Sequence, residues 1–149
     1  MVFAASAIRL SLEFYMARWL CKVEPDCYSL ADLERDGTTT WDGVGNPVAR
    51  KNLRAMTPGD RVLFYHTGKV KAVVGEMEVV GEPTAPADDE KAVAVEMKFV
   101  GRWETPVTLA AVKAEKTLET WDLVRLTRLS VMAVTDAQWK TVVRLAQGK

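Results

Sequence analysis

Histidine occurs once in this chain, at position 66, and cysteine twice, at 21 and 27. A multi-histidine metal site is therefore excluded. Two cysteines without companions at metal-ligand spacing build neither a structural zinc site nor a disulfide framework, and both read as reduced, buried thiols. Charge of one sign is also lacking: Lys plus Arg number 20 and Asp plus Glu number 20, a formal net charge of zero. Bulk attraction to a phosphate backbone is unavailable, so any nucleic-acid contact needs a local patch or a pocket. No serine sits in a G-x-S-x-G elbow, which leaves nucleophilic hydrolysis of that type without a nucleophile. Long apolar runs are missing too. Met1 to Tyr15 is fairly apolar, but Arg9 and Glu13 interrupt it and no basic stretch precedes it, which argues against a signal peptide or a membrane span. The expectation is a cytoplasmic monomer with no membrane contact, no metal and no cofactor.

What is present is enough hydrophobic residue, 48% of 149, to close one core. Met16 stands just before a convincing strand, so residues 1–16 read as an N-terminal extension from an over-called start and residues 17–149 as one domain. Trp19 to Val23 is short, apolar and β-prone, and Pro25 stops it. Ser29 with Asp32 three residues on predicts a capped helix facing Leu30 and Leu33 inward, ended by Asp36-Gly37. Thr38 to Pro47 reads as a glycine-permissive loop whose Asn46-Pro47 starts a helix to about Met56, with Val48 or Ala49, Leu53 and Met56 as its buried side. Thr57 to Asp60 is a turn by composition. Arg61 to His66 and roughly Val70 to Val80 predict a hairpin, Pro83 to Glu90 a surface loop, and Val93 to Phe99 a strand with one buried face. Pro106-Val107-Thr108 introduces a helical segment through Val112. Leu118 to Leu123 predicts a helical turn placing Trp121 on the core, Leu126 to Val131 a last strand, and Thr135 with Gln138 the capping box of a terminal helix. This order favours a mixed α/β fold with a strongly curved sheet over a doubly wound parallel one.

Few residues carry chemistry. His66 ends an apolar strand, where a lone histidine is more often structural than catalytic. Lys22 and Glu24 lie two apart in extended chain and share a face, which suits a surface ion pair or a joint ligand contact. Trp41-Asp42-Gly43 ahead of Asn46-Pro47 offers a π-face, a carboxylate and free backbone amides at a helix start, or equally a core tryptophan plus a cap. Of the five tryptophans, Trp103, Trp121 and Trp139 read as core; Trp19 and Trp41 adjoin polar clusters. Arg50, Lys51 and Arg54 make a solvated helix face or a phosphate-contacting rim.

Taken as a set, Trp19-Leu20-Cys21-Lys22-Val23-Glu24-Pro25, Trp41-Asp42-Gly43-Val44, Ala49-Arg50, Gly59 to Thr67 and Arg128-Leu129-Ser130-Val131 resemble the EVE domain, in that family's order and over nearly everything from Trp19 to Leu145. The resemblance implies a PUA-like fold, a curved mixed β-barrel with short helices around it, related to the YTH domain that cages methylated adenine and to the ASCH group. It implies a pocket for a modified cytosine or adenine in DNA or RNA, with Lys22, Glu24, Trp41, Asp42, Asn46, His66, Arg128 and Ser130 around it by position. The sequence departs from the pattern at Gly45, where arginine is usual, at Pro47, where an aromatic is usual, and at Met132-Ala133, where Gln-Pro is usual.

The resulting expectation is a non-catalytic reader that stacks a base on Trp41 and sets Arg50, Lys51 or Arg54 on phosphate. The rivals are an amidohydrolase-like enzyme on modified nucleosides, using Lys22, Glu24 and His66, and a small-molecule or partner-binding module.

Overall fold

The computed structural model describes residues 16–86 and 88–148. The expected extension over residues 1–16 thus lies, apart from Met16, outside the described residues. Among those described, β1 (Arg18–Val23), β2 (Thr38–Trp41), β3 (Arg61–His66), β4 (Ala72–Val79), β5 (Val95–Thr108) and β6 (Val131–Val134) form one sheet in the order β2-β5-β4-β3-β1-β6. β1 and β3 run parallel, and every other neighbouring pair is antiparallel. Helices α1 (Leu30–Asp36), α2 (Pro47–Arg54), α3 (Leu109–Ala114), α4 (Asp122–Arg125) and α5 (Asp136–Ala146), with a 3-10 turn at Lys116–Leu118, surround it. The fold is the mixed α/β, curled-sheet architecture expected.

Burial follows position in the sheet. β3 lies between β1 and β4 and is covered on both faces, so Val62 to His66 are buried without a break, as in a strand of a two-sided sheet. β4 buries alternate residues, the period-two signature of one core face. Register shifts between Phe64 and Tyr65, between Val73 and Gly75, and between Glu76 and Met77 bend the strands and curl the sheet. Gly75 sits at this bend, where a Cβ would meet Gly101 O at 2.5 Å and Leu30 Cδ2 at 2.8 Å. Glycine there lets β5 close on β4 and lets α1 seat Leu30 on the sheet.

Both expected capping boxes are present, Ser29 with Asp32 on α1 and Thr135 with Gln138 on α5, and Asn46 caps α2. Several expectations are corrected. Thr38 to Trp41 is not loop but strand β2, paired to β5 over Val95 to Lys98; three consecutive β-branched threonines favour extended backbone. Pro106 to Thr108 ends β5 instead of starting a helix, and Thr108 caps α3. The last strand is Val131–Val134, because β6 pairs β1 through Cys21 opposite Val131 to Arg18 opposite Val134; Leu126 to Ser130 is the loop that delivers it. On α2 the buried residues are Ala49 and Leu53, while Val48 is exposed. Cys21 is buried and Cys27 exposed.

Asp60 was legible only as a turn residue, yet it is 1% exposed and accepts four hydrogen bonds. Its Oδ2 takes Trp19 Nε1 at 2.9 Å and Thr57 N at 3.0 Å; its Oδ1 takes Thr57 Oγ1 at 3.1 Å and Ala17 N at 3.3 Å. It ties the start of β1 to the turn that enters β3. An asparagine would turn one oxygen into a donor facing donors. Asp60→Asn and Asp60→Ala are each expected to lose on the order of 3 kcal/mol, read as a lowered urea midpoint; wild-type stability in both would refute the tie.

Candidate functional site

β1 and β3 pair in register from Arg18 opposite Arg61 to Val23 opposite His66, so their carboxyl ends finish side by side. Successive strand residues face opposite ways, and the two faces lead to two clefts. On one face Phe64 meets His66 edge to face at 5.1 Å and Trp41 at 5.8 Å. Here Val23, Cys27, Tyr28, Thr39, Trp41 and Asp42 are among the residues lining a cleft of about 310 Å³, near the lower end of the roughly 300–1,000 Å³ usual for ligand pockets. Trp41 is only 7% exposed; its ring belongs to the core and forms part of the cleft wall.

On the other face Lys22 lies over the Tyr65 ring, its ammonium 5.6 Å from the ring centroid, and donates to Thr127 O at 3.2 Å. Half-burial of this side chain holds its pKa below the usual lysine value, and burial pushes the Tyr65 hydroxyl up. The loop it clasps lines a second cleft of about 400 Å³ with Asn46, Val48, Arg125, Leu126 and Arg128. Between the clefts runs the Asp42 to Asn46 loop. It is held at one end by Trp41, in the middle by Arg50 Nε donating to Val44 O at 2.6 Å, and at the other end by Asn46, whose side chain accepts from Val48 N and Ala49 N.

The expected site residues are therefore sorted and not gathered into one pocket. Trp41 and Asp42 line the first cleft; Asn46 and Arg128 line the second, beside Lys22. Ser130 serves through its backbone, its carbonyl accepting from Lys22 N at 2.8 Å. Glu24 is exposed in the turn after β1, its carbonyl accepting from Cys27 N and Tyr28 N, and makes no ion pair with Lys22 among the described residues. His66 is 6% exposed and stands between main-chain groups: Leu30 N donates to its Nε2 at 3.3 Å, and Val23 O lies 3.2 Å from its Nδ1. Of the expected phosphate contacts, Arg50 is held by Val44, and Arg54 Nη2 donates to Lys91 O at 2.6 Å beside a separate cleft at Pro83 and Thr84. Lys51 is exposed. Tyr28 and Arg125 carry no signal in the sequence, and Val48 and Leu126 read there as a helix-core candidate and a strand start; the fold makes all four lining residues of the two clefts. Among the described residues no cluster of His, Cys, Asp or Glu is arranged to hold a metal.

The EVE domain family model matches residues 17–145. Human thymocyte nuclear protein 1 is 29% identical over 178 residues, an alignment covering 95% of this chain and 79% of that protein. A crystal structure of human THYN1 in complex with 5-methylcytosine-containing DNA superposes with a TM-score of 0.83 at 27% identity, over 89% of this chain and 99% of that one. A protein of Rhodopseudomonas palustris solved by NMR matches with a TM-score of 0.84 at 38% identity, covering 89% of this chain and 94% of that one. An ASCH protein of Zymomonas mobilis, 14% identical with a TM-score of 0.55 over 86% of this chain and 94% of that one, shares the fold alone.

The His66 geometry dictates one tautomer. A backbone N–H faces Nε2, which must present a lone pair, and a carbonyl faces Nδ1, which must carry the proton. Nitrogen NMR of the ring is expected to show the Nδ1–H form, and His66→Ala to lose about 2–4 kcal/mol on urea unfolding by leaving Leu30 N without its acceptor and opening a cavity, while Val23 O keeps Thr67 N at 3.1 Å. An Nε2–H ring with an unchanged midpoint for the variant would refute the assignment.

Proposed function

This chain belongs to the EVE domain family, and from that premise we propose that it is a non-catalytic nucleic-acid-binding module that reads a modified base, 5-methylcytosine first among the candidates. The observation that carries the reading is the likeness, over 89% of the chain, to a relative crystallised on 5-methylcytosine-containing DNA. The geometry supports it. A cleft with an indole in its wall offers a base apolar surface, and Asp42 and Thr39 add polar groups to its lining. The loop that separates the clefts is anchored at three points, so little ordering cost falls on binding.

The enzyme reading lacks its proton shuttle. Both ring nitrogens of His66 face main-chain groups, and Glu24 points from an exposed turn without contact to Lys22. A hydrolase built on these three has no free imidazole nitrogen to work with.

Gly45 gives a second handle. It is exposed, its φ is not positive, and a Cβ built on it meets nothing within 4 Å, so a larger side chain fits without strain. In anisotropy titrations with matched DNA and RNA oligonucleotides, one methylated cytosine is expected to tighten binding, and Trp41→Ala to remove about tenfold or more of that affinity. Circular dichroism must show the variant folded. Equal affinity for all oligonucleotides would defeat the reading. Gly45→Arg is expected to raise affinity and steepen the log–log salt slope by about 0.7–0.9, one phosphate's worth; an unaltered slope would place Gly45 away from the strand.

A further inference from the structure

We infer that the second cleft, between the start of α2 and the Arg125 to Leu129 loop, is a subsite for the sugar-phosphate of nucleotides flanking the read base. The inference rests on the nucleic-acid reading above and assigns that partner a second contact.

Two independent observations meet there. The first is charge. Arg125 and Arg128 are exposed and form no ion pair among the described residues, and no carboxylate lines the cleft. Around two other clefts the cations have carboxylate partners: Arg61 pairs with Glu76 and Glu78, Lys98 with Glu78, and Arg102 with Glu34. The cleft near Trp103 holds Glu76 and Glu104 beside Arg102, and that near Trp139 holds Glu76 and Glu78 beside Arg18 and Arg61. The Arg125–Arg128 cleft is thus a local positive spot that the protein does not neutralise by itself.

The second is apolar exposure. Val48 is 52% and Leu126 46% exposed, two of the five large hydrophobic side chains left open among the described residues, and both line this cleft. Paired arginines beside two open aliphatic side chains match a nucleotide strand, whose phosphates take guanidinium forks while its sugars and base faces cover apolar surface. The Lys22 ammonium, held against Thr127 O, adds a third cation at the loop's back. Arg50 and Arg54, which donate one N–H each to Val44 O and Lys91 O, do not line this cleft.

The test uses the full chain and the double variant Arg125→Gln/Arg128→Gln, with Val48→Ser/Leu126→Ser as a second, charge-neutral change. Anisotropy is followed against salt with one methylated and one unmethylated oligonucleotide, and with a polyglutamate peptide as probe of generic anion binding. Expected for the arginine variant is a loss of about tenfold or more in affinity for both oligonucleotides and a salt slope shallower by about 1.4–1.8, with the methylated-to-unmethylated ratio kept. The serine variant is expected to lose affinity at unchanged slope. Wild-type binding of the methylated oligonucleotide with wild-type slope in the arginine variant overturns this inference alone. Loss of the ratio in that variant overturns it too, by making the cleft the base pocket. Polyglutamate binding as tight as the oligonucleotide, and equally lost, overturns it in favour of an acidic protein partner. No oligonucleotide binding by the wild type overturns both this and the reading it rests on.

Discussion

The parallel pairing of β1 with β3 is the constraint on which the site depends, and two buried polar side chains fasten it. Asp60, one residue before β3, binds the Trp19 indole near the start of β1; His66, at the end of β3, faces Val23 O at the end of β1 and Leu30 N at the start of α1. These two are the buried polar or charged side chains of the described residues. An apolar pair of strands tolerates sliding by two residues with its faces preserved. Here such a slip would strand an indole N–H at one end and backbone groups at the other, each costing about 1–3 kcal/mol. The register is therefore set by hydrogen bonds, while hydrophobic burial supplies the bulk of the stability.

Fixing the register fixes what lies beyond the strand ends. Val23 and Lys22 are consecutive and so address opposite faces, one toward Trp41, the other toward Thr127. The aromatic column Trp41, Phe64, His66 carries the constraint outward to β2, and α1 closes over it because Gly75 leaves room for Leu30. A site assembled from β1, β2, α2 and the loop before β6 is thereby held by one strand pair.

What the sequence made legible was what local chemistry decides. Ser29 with Asp32, Thr135 with Gln138 and Asn46 with Pro47 announce helix starts because a cap is satisfied within four residues. The mixed sheet followed from the order of elements. Less local features were harder to see. Asp60 reads as a turn aspartate because its chief partner, Trp19, is 41 residues away. β6 is displaced from the expected Leu126 to Val131 because Leu126, Leu129 and Val131 space apolar residues through the preceding segment, and only the pairing with β1 tells strand from loop. His66 was placed correctly at a strand end, but whether its ring faces a ligand or the main chain depends on Leu30, brought there by α1. Arg125 carries no signal in the sequence and Leu126 reads only as a strand start, since their place on the cleft comes from standing near Val48.

Zero net charge also acquires a meaning from this arrangement. A neutral protein gains little long-range steering toward a polyanion, and at physiological salt fields fade within about 8 Å. Affinity for a strand must then come from cations that sit at the contact and have no partner of their own. The outer face of the sheet, where Arg61, Glu76, Glu78 and Lys98 answer one another, contributes nothing to that. Arginines left unanswered beside open aliphatic side chains do, and they do so only for a ligand close enough to exclude water from Val48 and Leu126. For the proposed reader of single bases, weak attraction at a distance would leave discrimination to the cleft wall.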